Sequence, residues 1–301
     1  MGRRRRMPRY REGMKNLVLV GVDGSSGSAR AADWALAEAV ARKWSILFAT
    51  VVPLAPVTDP QVEAAYFRSA VRDAEKIHGP LIAQAEVQGI TAASQVIAGR
   101  AGDVLVRLSA EASLGVAGRR IRSGFVSRLG SVSAAFAAHS SCSTAVIPET
   151  WSPDLSAEDS APASDGRTLA GQVVASVEAG PAAPHLLAVA AEMAQRHGVP
   201  LCAVTVSPNG TELGRDPWLP DLLHRTRQEH PGLQCGSRTL LGSPAHEIAE
   251  AARGARLLVI GTRGLSGIPG IVRGSVSQAV LESTSSPVLV VPSRQPGKRH
   301  T

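Results

Sequence analysis

Short, fully apolar runs alternate along this chain with longer stretches of helical period. The first run, Leu17–Val22, stops at Asp23, and a Gly/Ser turn leads into Ala29–Arg42, where Ala32, Leu36, Ala39 and Val40 share one stripe. Spacings of three and four place such residues on one helix face. A second run covers Ile46–Val52. After it come a helical stretch over Gln61–Gln88, a third run at about Ala93–Ile97, a turn at Gly99-Arg100-Ala101 that opens another helix, and a fourth run. The pattern closes on Ala145-Val146-Ile147-Pro148. Runs that are apolar at every position suit strands buried on both faces, and their alternation with helices implies a parallel sheet covered on both sides. Right-handed crossovers make such a unit doubly wound.

The same order then repeats. Val173–Val177 ends at Glu178, Pro184–His197 carries Leu187, Ala190, Ala191 and Ala194 on one stripe, and Leu201–Val206, Ser237–Leu241 and Leu257–Ile260 follow as apolar runs before Val288–Pro292. Pro184 suits a first helical turn and Gly198 the residue just past a helix end. Glu178 lies 155 residues after Asp23, Gly242 143 after Gly99, Gly274 144 after Gly130 and Pro292 144 after Pro148. A register held through four points is an internal duplication, with the second copy shorter by about 12 residues between its second and third strands. The expected organisation is a basic tail over 1–15, a first domain over 16–148, a linker over 149–168 rich in Ser, Ala, Pro and acid, a second domain over 169–293 and a tail over 294–301. The expected fold class is α/β: two tandem doubly wound domains, each an open, mostly parallel sheet with helices on both faces.

Composition narrows the function classes. The chain has 301 residues, 44% apolar but 3% aromatic, so its core is built from Ala, Val, Leu and Ile. The formal charge is +7, and residues 1–15 hold seven basic side chains against Glu12, which leaves the remainder near neutral. With Tyr10 as its one aromatic residue, the tail reads as a solvated leader and not as a nucleic-acid site. No apolar run approaches the roughly 20 residues that span a bilayer. Leu17–Val22 is also shorter than the apolar region of a signal peptide, so the cytoplasm is the expected location and no membrane partner is expected. Cys142, Cys202 and Cys235 are odd in number and widely spaced, which suggests neither a disulfide framework nor a metal site.

One motif carries chemistry. After Leu257–Ile260 comes Gly261-Thr262-Arg263-Gly264, then nine residues, then Gly274-Ser275-Val276-Ser277. Glycine lets backbone N–H groups approach a ligand closely. The helix opening near Ser275 offers free N–H donors and a positive dipole end, and Ser275 and Ser277 add hydroxyls. Together they suit a polyphosphate.

The pattern G-x2-G-x9-G-[ST] after the fourth strand, with Val-Asp after the first, resembles the universal stress protein family, in two copies over nearly the whole chain. The resemblance implies an open five-stranded domain that commonly dimerises and, in one branch, binds ATP. In that branch the acid after strand one and an apolar residue ending strand two hold the adenosine end, while glycines and hydroxyls hold the phosphates. Carried over, Gly261, Gly264, Gly274, Ser275 and Ser277 match the phosphate positions, Val206 the apolar position and Glu178 the acid, with ATP and Mg²⁺ as the implied ligands. Glu178 departs from the usual Asp. The first copy keeps Asp23 and Val51, with Gly130 and Ser131 opening its last helix, but it reads Gly118-Arg119-Arg120-Ile121 in the loop. Ile121 stands where the second glycine belongs, with Arg119, Arg120 and Arg122 as charges able to attract an anion. The second copy is therefore ranked above the first. The duplication also implies that the copies pair within one chain, as in a family homodimer, with a homodimer of chains as a further possibility.

Several catalytic signatures are absent. There is no Walker A sequence, no dinucleotide G-x-G-x-x-G and no G-x-S-x-G elbow, and His246-Glu247 has no second His four residues on. His185 and His224 stand alone. The expectation is a stress-response or regulatory ATP-binding protein that is not an enzyme and shows little or no hydrolysis. The alternatives are an interaction protein with a vestigial nucleotide site, or a nucleotide-using enzyme, either a weak ATPase or an autophosphorylating protein with Ser275 as acceptor.

Overall fold

The computed structural model describes residues 16–54, 59–119, 130–152, 168–208, 218–262 and 275–293. In chain order, the first half runs β1 (Leu17–Gly21), α1 (Ser26–Arg42), β2 (Ser45–Val52), α2 (Pro60–Val87), β3 (Ala92–Ala98), α3 (Ala101–Leu108), β4 (Leu114–Arg119), α4 (Ser131–His139) and β5 (Ser143–Pro148). The second half repeats it as β6 (Val173–Ser176), α5 (Ala183–His197), β7 (Leu201–Ser207), α6 (Trp218–Glu229), β8 (Cys235–Leu241), α7 (Pro244–Ala251), β9 (Leu257–Gly261), α8 (Ser275–Ser283) and β10 (Val288–Val291). The α/β class and the two related halves are as the sequence predicts.

The strands form one ten-stranded sheet in the order β3-β2-β1-β4-β5-β10-β9-β6-β7-β8. Neighbours within each half are parallel, and the halves meet through antiparallel β5 and β10, with Val288 opposite Val146 and Val290 opposite Thr144. The connection switches direction between β1 and β4, and again between β6 and β9. Val18, Leu19 and Val20 are wholly buried, as a central strand with helices on both faces requires.

Among the described residues, two apolar clusters run through both halves, and a third, with Leu19, Leu105 and Phe136, belongs to the first half alone. On one face Val18, Leu36 and Ile147 join Val173, Leu187 and Leu289 in a single cluster. On the other, Ala137 and Val146 join Val174, Leu258 and Val288.

Helix α1 starts at Ser26, earlier than its apolar period suggests. Ser25 sits in extended conformation and its side chain accepts from the Ser28 N–H, so a stretch that reads as a turn is a capped first turn. The start matters for function, because Gly27 and Ser28 then lie against the end of β4. At the other end of α5, Gly198 adopts the left-handed conformation (φ 66°) expected of a helix terminator.

Candidate functional site

In doubly wound sheets, ligands bind beyond the carboxyl ends of the strands, at the switch in strand order. The first half has a cleft of about 480 Å³ at that place. Its walls come from the ends of β1, β2 and β4 and from the openings of α3 and α4. Ala49, Val51, Leu105, Ala117 and Val132 give an apolar lining, while Asp23, Ser25, Ser28, Ser131 and Ser133 supply polar groups. The volume suits a small molecule.

The two ends of the cleft differ electrically. At one end Asp23 is exposed, and its Oδ1 accepts from the Ser25 N–H (3.0 Å) and the Ser25 hydroxyl (2.5 Å). At the other, α4 opens on Gly130, which caps it with no side-chain hydrogen bond, so its first N–H groups take no bond from the cap residue's side chain. A Cβ at Gly130 would meet nothing within 4 Å, so the glycine leaves space there. A positive helix end faces the cleft from one side and a carboxylate from the other.

Asp23, Val51, Gly130 and Ser131, the first-copy counterparts of the ligand positions, line this one cleft. Nothing in the sequence pointed to Ala49, Leu105 or Ala117, which are ordinary core types, and Ala101 read only as part of a turn. Ser25 and Ser28 read there as turn residues.

Gly118 and Arg119 are the last two residues of β4 and not part of a loop. Arg119 does not offer its charge to an anion. It is buried, and its guanidinium donates to the carbonyls of Leu281 and Thr284 at the end of α8. There it completes hydrogen bonds that a helix end leaves open, beside the negative end of the dipole. Arg120, Ile121 and Arg122 lie outside the described residues.

In the second half, Glu178 follows β6, Val206 lies in β7 and Gly261 ends β9, all at the carboxyl edge. Gly264 and Gly274 lie outside the described residues, as does the side chain of Ser275, the first residue of α8. The Ser277 hydroxyl donates to the Gly261 carbonyl (3.1 Å), and its counterpart Ser133 donates to the Gly118 carbonyl (2.7 Å). Each hydroxyl has a single proton, so the second serine of Gly-Ser-Val-Ser ties helix to strand in both halves.

Glu178 and Asp23 hold equivalent places in different environments. Glu178 is half-buried, and burial pushes its carboxyl up to about 7. A folded value above the ordinary 4.5 means that the fold prefers the neutral acid, so the stability it supports is complete below pH 4.5 and is lost as pH rises through about 7. Glu178→Gln is therefore expected to leave urea stability unchanged at pH 4.5 and to raise it at pH 8. The gain should be on the order of 1–2 kcal/mol after allowing for partial solvent access. Equal stability of the two proteins at pH 8 would contradict this.

The model of the universal stress protein family matches residues 14–148 and again 171–292. The chain belongs to the universal stress protein family. A universal stress protein of Mycobacterium tuberculosis is 28% identical over 311 aligned residues, covering 91% of this chain and 94% of that one. Another, from Mycolicibacterium smegmatis, is 29% identical over 300 residues, covering 91% and 96%. In fold, the chain is similar to the crystal structure of a universal stress protein from Archaeoglobus fulgidus, with a TM-score of 0.72, 18% identity and coverage of 93% and 99%. These matches span both halves, so the tandem arrangement is shared with the relatives. Among the described residues, no helix is long and apolar enough to cross a membrane.

Proposed function

We propose that this universal stress protein binds an adenine nucleotide, ATP with or without Mg²⁺, as a regulatory ligand in a stress response, and hydrolyses it slowly or not at all. The observation that carries the reading is the cleft at the switch point of the first half, with a carboxylate at one end, an uncapped helix N-terminus at the other and an apolar lining between. Val51, Ala49 and Leu105 suit a flat base, Asp23 suits ribose or base donors, and the opening of α4 suits phosphate oxygens. Among the described residues, the lining contains no lysine and one carboxylate, Asp23, and no group placed for γ-phosphate transfer. That supports a binding protein over an enzyme.

The glycine motif of the second half, with Gly261, Gly264 and Gly274, is the other seat, with Val206 and Glu178 at its adenosine end. The reading places the protein in the cytoplasm. Since β5 and β10 already use their outer edges on each other, a homodimer of chains would need another surface. One observation favours an interaction protein with vestigial sites: Ser133 and Ser277 have their hydroxyl protons committed to backbone carbonyls.

The test is to denature freshly purified protein, assay the supernatant for nucleotide, and titrate ATP and Mg²⁺ into the wild type, Asp23→Ala and Gly264→Ile. Binding that weakens at least tenfold in Asp23→Ala locates the ligand in the first half, and a similar loss in Gly264→Ile locates it in the second. No nucleotide and no binding in the wild type would sink the ligand reading and leave the interaction protein.

A further inference from the structure

The peptide between Val22 and Asp23 is held from both sides. Its carbonyl, on Val22, accepts from the Thr50 hydroxyl (2.8 Å). Its N–H, on Asp23, donates to the Ser28 hydroxyl (3.3 Å), which itself donates to the Ser25 carbonyl (2.9 Å). Thr50 lies on β2 between Ala49 and Val51, two residues of the cleft lining, yet it is not itself in the lining.

Behind Thr50 stands His78 of α2, 2% exposed, with Nε2 at 2.8 Å from the Thr50 hydroxyl. A carbonyl only accepts, so Thr50 gives its one proton to Val22. Its oxygen must then accept from His78, which fixes the ring as the Nε2–H form. Burial pushes the His78 pKa down, against a smaller opposing pull from Glu75. The result is a directed chain, His78 to Thr50 to Val22, buried at its origin and ending one residue before the cleft carboxylate.

The second half is built differently. Thr205 holds the place of Thr50, directly before Val206, but its hydroxyl donates to Thr239 on the edge strand β8 (3.3 Å). No buried histidine stands behind it among the described residues.

We propose that His78 and Thr50 are positioning residues for the ligand of the first-half cleft: their relay locks the Val22–Asp23 peptide and so presets the Asp23 carboxylate that meets the ligand. This rests on the nucleotide reading for the ligand, though not for the locking. It makes the first half the better organised of the two sites, although the second carries the fuller glycine motif. Presetting lowers the ordering cost of binding.

The relay is tested with Thr50→Val, which keeps shape and loses the hydroxyl, and Thr50→Ser, which keeps the hydroxyl. ATP affinity is measured in each, alone and combined with Asp23→Ala, together with amide exchange of Asp23 in the free protein. Thr50→Val is expected to weaken ATP about tenfold and to speed Asp23 exchange by a similar factor. Thr50→Ser should stay within about twofold. In the Asp23→Ala background, Thr50→Val should add little further loss, because Thr50 acts through Asp23. An equal loss in both backgrounds would show general destabilisation and overturn the proposal, as would unchanged exchange in Thr50→Val. If the wild type binds no ATP but Thr50→Val still frees the Asp23 amide, the nucleotide reading fails and the locking stands.

Discussion

Replacing Gly118 by alanine is expected to destabilise the protein by about 3 kcal/mol or more and to spoil the first-half cleft with it. An added Cβ would sit 2.1 Å from the Gly27 carbonyl oxygen, 2.3 Å from its carbon and 2.8 Å from the Ser28 nitrogen. All three are backbone atoms, so no side chain can rotate out of the way. The end of β4 and the first turn of α1 would have to separate. That turn carries Ser28, whose hydroxyl accepts from the Asp23 N–H, and Ser25, whose oxygens cap the helix and meet the Asp23 carboxylate. The strain therefore reaches the cleft through hydrogen bonds already named. Gly130→Ala is the control, because a Cβ there meets nothing within 4 Å. Exchanging glycine for alanine at that helix cap should cost under about 1 kcal/mol. Urea unfolding of both variants checks the contrast. Similar losses in the two would mean that the close approach of β4 to α1 is not as described.

The two glycines show what a sequence can and cannot carry. Both stand at corresponding points of a repeated pattern, and both are visible as glycines that a strand–loop–helix junction needs. Which one is needed for contact depends on α1 lying across β4, and α1 comes some 90 residues earlier in the chain. The α/β class, the duplication and the carboxyl-edge position of Asp23 and Val51 were legible because they rest on local period and on offsets. Arg119 was not. In the sequence it opens a basic run with Arg120 and Arg122 and suggests an anion patch, yet its partners Leu281 and Thr284 lie 162 and 165 residues away. His78 was silent for a related reason. A histidine four residues after Ala74 on an amphipathic helix looks like any other core position until Thr50 is seen opposite it. At Ser277 one hydroxyl can serve a phosphate or a backbone carbonyl, and the sequence does not choose between them.

The second large effect lies at the seam between the halves. Glu38 of α1 is 4% exposed, and its carboxylate meets the Arg42 guanidinium at 3.1 Å and Nε2 of His197, the last residue of α5, at 2.5 Å. Arg42 reaches Glu192 of α5 as well (3.2 Å) and lies over the Trp44 ring at 4.6 Å. Burial pushes the Glu38 carboxyl up, but His197 and Arg42 outweigh it and hold the group below the usual carboxylate range. The stability it supports is therefore complete above pH 4.5 and is lost as pH falls through the depressed value. Buried ions of this kind add little over an apolar packing, but breaking one strands the others. Glu38→Gln leaves His197 buried without its carboxylate and Arg42 with the half-exposed Glu192 alone, so it should cost about 3 kcal/mol at pH 7. His197→Gln in the Glu38→Gln background should cost less than His197→Gln alone, by about 1 kcal/mol. Because the largest apolar cluster runs through both halves, the loss should appear as a lower urea midpoint in a single transition, not as one half unfolding first. An unchanged midpoint would mean that the network contributes nothing net, and two separate transitions would mean that the halves are held together by the β5–β10 edge and not by the shared core.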